Sequence, residues 1–180
     1  MKRFASLYRE LDATTSTNEK VAAMARYFSR APSENAVWAL SLLTATRRKR
    51  VITSLTLIND YQTISGMPRW LLDDCRAHVG DSGETVALLV PEFLDTGADF
   101  AGENDDPPGA EGSSDDTAEI PLHRWLTDII PELGRLPDED RRKRLVRIWR
   151  SLPVEDTFVF HKILTGGFRV GVSRKLVVRA

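Results

Sequence analysis

Apolar residues recur along most of this chain at intervals of three and four, the spacing that gathers side chains on one face of an α-helix. Phe4, Leu7, Tyr8 and Leu11 form the first such stripe. Val21, Met24, Ala25 and Phe28 form the next. They follow Thr15-Ser16-Thr17-Asn18, whose short polar side chains suit the start of a helix. Pro32-Ser33-Glu34 opens a third helix carrying Val37, Trp38, Leu40 and Leu42 to about Thr44. The same periodicity predicts helices over roughly 50–61, 68–79, 83–90, 121–133, 137–150, 153–164 and from 173 onward. Period-two alternation, the mark of a half-buried strand, is almost absent. The pattern predicts a single all-α domain spanning residues 1–180.

The pattern stops between Asp95 and Glu119, where Gly97, Gly102, Pro107, Pro108, Gly109, Gly112, Ser113 and Ser114 stand among carboxylates. So little apolar surface cannot offset the entropy of ordering the backbone, which predicts a flexible acidic loop inserted between helices. The insert also changes the charge picture. From Glu92 to Glu119 there are ten acidic residues and no Lys or Arg. The remaining 152 residues carry 25 Lys and Arg against 16 acids, an excess of nine that the overall net charge of −1 conceals. A basic body suits an anionic partner such as nucleic acid.

One cysteine, Cys75, excludes an internal disulfide framework and fits a reducing compartment. The first ten residues lack the apolar run of a secretory signal, and no run approaches the ~20 residues of a membrane span. The expected setting is the cytoplasm, with no membrane partner.

Several stretches carry candidate chemistry. Gly80-Asp81-Ser82-Gly83 matches part of the nucleophile loop of trypsin-like proteases, but it joins two helical patterns and Glu84 replaces that signature's next glycine. A helix cap before Glu84 accounts for it better. Cys75 and His78 lie three apart on a predicted helix, yet His123 and His161 supply no further ligand at zinc spacing. Of two basic clusters, Arg141-Arg142-Lys143-Arg144 follows Asp138, Glu139 and Asp140 and reads first as a solvated helix face. Arg47-Arg48-Lys49-Arg50 falls between helices with no acid from Glu34 until Asp60, and suits contact with phosphates.

The densest signal is Lys162-Ile-Leu-Thr-Gly-Gly-Phe-Arg-Val-Gly-Val-Ser173. Gly166-Gly167 is a usual helix stop, and Ser173 a natural cap for the next helix, with Val172 and Val177 at the two positions of a hydrophobic staple. Arg174 and Lys175 then fall in a first turn, where the helix dipole disfavours cations unless an anion is bound there. Three glycines enclosing Arg169 exceed what a connection needs. They predict a loop whose backbone N–H groups approach a phosphate closely, with Gly166, Gly167, Arg169, Gly171, Ser173, Arg174 and Lys175 as contacts.

That closing segment resembles the end of the N-terminal DNA-binding domain of ATP-dependent DNA ligases. Trp38-Ala-Leu-Ser-Leu-Leu-Thr44 with the following arginines resembles the bacterial branch of the family, as do Trp70-Leu-Leu-Asp-Asp-Cys75, Val79-Gly-Asp81 and Glu84-Thr-Val-Ala-Leu-Leu89. The resemblance covers the chain except the acidic insert. It implies an all-helical domain that grips nicked duplex DNA across the minor groove, without sequence preference, for strand joining in repair or replication. It gives Gly166, Gly167, Arg169 and Gly171 contacts to the sugar-phosphate backbone. Ala45 stands where this branch usually has glycine. ATP, Mg2+, a catalytic domain and an OB-fold domain are expected of a full-length parent. None of the six lysines here begins the family's Lys-x-Asp-Gly motif, so this chain should have no catalytic residue or cofactor of its own. The chain stops inside an expected helix at Ala180, which reads as a piece of a longer enzyme. The alternatives are a stand-alone helical regulator that binds nucleic acid, and a protein-interaction module.

Overall fold

The computed structural model describes residues 1–44, 50–96, 120–168 and 170–180. Among the described residues the architecture is all helical, with no strand. Five helices of the first half are α1 (Lys2–Asp12), α2 (Thr17–Phe28), α3 (Ser33–Thr44), α4 (Ser54–Ser65) and α5 (Arg69–Val79). They are followed by α6 (Ser82–Asp95). One continuous helical stretch then comprises α7 (Leu122–Arg124), a π-helical turn (Trp125–Ile129) and α8 (Ile130–Leu133). The chain closes with α9 (Asp138–Ser151), α10 (Val154–Leu164) and α11 (Arg174–Arg179). No helix among the described residues is long and apolar enough to cross a membrane.

Caps account for the boundaries. Ser16 Oγ accepts from the Glu19 amide at the start of α2, and Asp81 Oδ1 from the Glu84 amide at the start of α6. The fourth helix starts at Ser54, about four residues later than the periodicity placed it. Thr53 is the residue whose hydroxyl accepts from the Thr56 amide, and left-handed Gly66 ends the helix. The sixth helix runs five residues beyond its expected end, through Pro91 to Asp95. Asp95 therefore belongs to a helix, and the rest of the acidic insert, residues 97–119, lies outside the described residues.

The stripes bury as the spacing demands. Phe4, Leu7, Tyr8 and Leu11 are all in the core, and α1 packs on α2 and α10. The third helix buries Ala39, Leu42 and Leu43 and leaves Val37 and Leu40 exposed. Helix α10 is the centre of the fold: it packs closely on α6, and Val159, Phe160, Ile163 and Leu164 are nearly inaccessible. Gly83 permits that approach, since a Cβ there would stand 3.2 Å from the Cβ of His161.

His161 is wholly buried among these helices. Trp149 Nε1–H donates to its Nε2 at 2.9 Å, and its Nδ1 lies 2.9 Å from the carbonyl oxygen of Gly83, so Nδ1 carries the proton. Burial pushes its pKa down to about 4. With both ring nitrogens occupied, His161 is not free to act as a base for Ser82. Gly80-Asp81-Ser82-Gly83 is a left-handed C-cap, an N-cap and a packing glycine.

A second buried polar cluster holds α9 to α4. Asp60, almost fully buried, receives Arg141 Nε at 2.8 Å, Arg141 Nη2 at 3.1 Å and Arg142 Nε at 3.1 Å. Lys143 pairs with Glu139 and Arg144 with Glu132. Arg141, Arg142 and Arg144 are therefore tied to other helices, more deeply built in than the solvated face expected for the cluster, while Lys143 pairs along the outer face of its own helix. Arg141 is buried because a carboxylate on a neighbouring helix meets its planar fork in bidentate geometry.

Candidate nucleic-acid interface

Thr165 closes α10, its hydroxyl donating to the His161 carbonyl at 2.8 Å. Gly166 follows at φ +69°, the left-handed region that disfavours a side chain. The carbonyl of Leu164, the last residue of the helix, is taken up from outside: Val51 N–H donates to it at 3.1 Å and Ile52 N–H at 3.3 Å. These two hydrogen bonds bring the strongest sequence signals together. The backbone next to exposed Arg50, the end of the first basic cluster, is bound two residues before the glycine pair. Gly134, at the end of α8, is the reason Val51 fits, because a Cβ there would stand 2.7 Å from Val51 Cγ1.

The loop then alternates between anchors and exposed backbone. Phe168 stacks on Phe4 with ring centroids 5.6 Å apart and tilts against Tyr8 at 4.9 Å. Phe168 is partly buried, and covering that much of a ring contributes about 1–2 kcal/mol. Burial also raises the Tyr8 phenol well above its ordinary value, with Asp12, Asp81 and Glu84 adding to the effect, so this aromatic platform is uncharged. Val170 is buried, and its carbonyl accepts from Lys20 Nζ at 2.7 Å. Gly171 turns the chain at φ +60°, and Ser173 Oγ caps α11 by accepting from the Leu176 amide at 3.3 Å. Val172 packs on the core and Val177 is buried, as the staple requires. Gly167, Gly171, Ser173, Arg174 and Lys175 remain exposed on the outside.

Gly167 differs from the other glycines of the loop. Gly167 has no positive φ, and a Cβ on it meets only ordinary contacts, Thr165 Oγ1 at 3.6 Å and Lys162 Cδ at 3.7 Å. Nothing in the fold therefore requires glycine at 167, unlike 166 and 171. Arg174 and Lys175 stand in the first turn of α11, directly after the Ser173 cap, and both are exposed. Arg47, Arg48, Lys49 and Arg169 lie outside the described residues.

The lysine that opens the motif is structural. Lys162 Nζ binds Asp81 at 2.6 Å and lies over the Phe158 ring at 5.2 Å. Partial burial opposes ionisation of Asp81, but the Lys162 ammonium and the amides of Glu84 and Gly83 hold its carboxyl below the usual range. The lysine that the sequence pattern passed over is Lys20. It is 9% exposed on the buried side of α2, with Ala23 and Met24. The one available signal was its register: it stands four residues before Met24, on the apolar stripe. Among the described residues no group of three or more His, Cys, Asp or Glu is arranged to hold a metal ion.

These features define an all-helical domain with a pinned, glycine-opened cationic loop at the end of its central helix. The family model described as DNA ligase N terminus matches residues 1–180. The chain belongs to that family, the N-terminal domain of ATP-dependent DNA ligases, as the closing motif indicated. No curated protein matches the chain.

Proposed function

We propose that this domain is the DNA-holding part of an ATP-dependent DNA ligase, gripping nicked duplex DNA by its sugar-phosphate backbone regardless of sequence. The family implies DNA as the partner and further ligase domains in cis. The single observation that carries the reading is the loop from Gly166 to Lys175. Its inward anchors, Phe168 and Val170, leave glycine backbone and the cations Arg174 and Lys175 facing solvent, and Val51 and Ile52, next to Arg50, bind the end of the helix that leads into it. Backbone amides and guanidinium groups bind phosphates without reading bases. The proposed contacts are Arg47, Arg48, Lys49, Arg50, Gly166, Gly167, Arg169, Gly171, Ser173, Arg174 and Lys175.

Transfer of AMP is assigned to the other domains. No lysine here begins Lys-x-Asp-Gly, so the residues of this chain do not fit the nucleotide site that ATP and Mg2+ would occupy in the parent enzyme. The domain's contribution to strand joining in replication or repair is affinity and placement of the nick.

Fluorescence anisotropy with two nicked duplexes of unrelated sequence tests the reading. The expected result is equal affinity for both within a few-fold, with log affinity falling linearly against log salt. A strong preference for one sequence would mark a regulator instead, and no binding to either would mark an interaction module.

A further inference from the structure

Lys20 projects from the first turn of α2 into the underside of the loop. The residue is nine-tenths buried, and its ammonium donates to one neutral acceptor, the Val170 carbonyl, at 2.7 Å. Among the described residues its hydrogen-bond partner is that carbonyl and no carboxylate. A buried cation with one neutral partner and two remaining N–H donors is costly unless a further partner arrives. Gly171 is the residue that stands over it. A Cβ on Gly171 would stand 3.1 Å from Lys20 Nζ, so the ammonium lies directly beneath an exposed residue that has no side chain to cover it. The left-handed φ of +60° at Gly171 makes that bare position a settled feature of the fold.

We propose that Lys20 is a further phosphate contact, an ammonium presented to a DNA phosphate at Gly171. This rests on the DNA-holding role proposed above. In the free domain Lys20 steadies the loop through Val170; in the complex its unused N–H donors point at the anion that settles on Gly171. A lysine suits this place better than an arginine, because a compact ammonium fits beneath a glycine where a planar guanidinium would need more room.

The test uses the wild-type chain, Lys20→Met and Lys20→Arg, with nicked duplex from 50 to 200 mM salt and thermal melts as the stability control. Lys20→Met should bind about tenfold more weakly at 50 mM salt. Its salt slope should be smaller by one phosphate's worth, ~0.9, so the deficit shrinks about 3.5-fold over that fourfold salt range. Lys20→Arg should keep most of the slope. Should Lys20→Met fail to fold, the wild-type chain decides by itself: the buried 15N ammonium resonance of Lys20, assigned by its loss in Lys20→Arg, should shift on adding nicked duplex. A folded Lys20→Met with unchanged slope, or an ammonium resonance that duplex leaves unmoved, overturns the role of Lys20 while the domain's DNA binding stands. Failure of the wild-type chain to bind any duplex overturns the DNA-holding reading itself.

Discussion

Trp149, His161 and Gly83 join three helices through one imidazole, and their bonding keeps the ring neutral. Its folded pKa, pushed down to about 4, lies below the ~6.5 of a free histidine. The unfolded chain therefore binds the extra proton between those values. The stabilisation is complete above pH ~6.5, declines as pH falls, and is gone once pH passes about 4. We expect about 3 kcal/mol of stability to disappear over that window from this residue. Denaturant melts of wild type and His161→Gln at pH 7 and pH 4.5 check this: the variant should start less stable and lose less. Asp60 gives the complementary case. Removing it strands Arg141 and Arg142 with their main carboxylate gone, so Asp60→Ala should cost about 3–5 kcal/mol in a melt at neutral pH.

The loop between α10 and α11 separates folding from binding among its glycines. Gly166→Ala forces a side chain into a left-handed backbone and should cost about 1–2 kcal/mol. Gly167→Ala meets no obstruction and should change stability by less than about 0.5 kcal/mol. If the loop lies against DNA, Gly167→Ala should still weaken duplex binding, because a methyl group there holds the backbone away from a phosphate. Equal DNA affinity in Gly167→Ala and wild type would remove Gly167 from the interface. Gly134→Ala acts on the same loop from a distance: its Cβ would press on Val51, whose amide caps Leu164. It should lower the melting temperature, and duplex affinity should fall with it.

On the scale of the molecule, charge segregation predicts how the domain responds to salt. The ten carboxylates from Glu92 to Glu119 share a chain with a body that carries nine excess cations. Replacing residues 97–118 by an uncharged Gly-Ser stretch of equal length should leave the helical circular dichroism intact. It should raise duplex affinity at low salt, with a smaller gain at high salt, where the Debye length shrinks to a few ångströms. Loss of cooperative unfolding would show that the stretch is structural. Incubating the chain with labelled ATP and Mg2+ should leave all six lysines unmodified, and a covalent AMP adduct on any of them would place nucleotide chemistry in this domain after all.

The sequence by itself determined the class of fold, most helix positions, the basic body and the motif at 162–173. These follow from local rules: a 3.6-residue period, capping side chains, and glycines at chain reversals. It also pointed to the family, because that motif is contiguous. Three things were decided only in the tertiary structure. Two clusters more than a hundred residues apart, at Arg50 and Gly166, meet because Val51 and Ile52 cap the end of α10. The cations of Arg141 and Arg142 were spent on packing, because Asp60 on another helix reaches them. Lys20 took a place in the core side of α2, because Val170 offers its carbonyl there and Gly171 has no side chain to crowd the ammonium. A charge has no preferred depth in a sequence; its burial depends on which partner folding brings within about 3 Å, and no local pattern carries that distance.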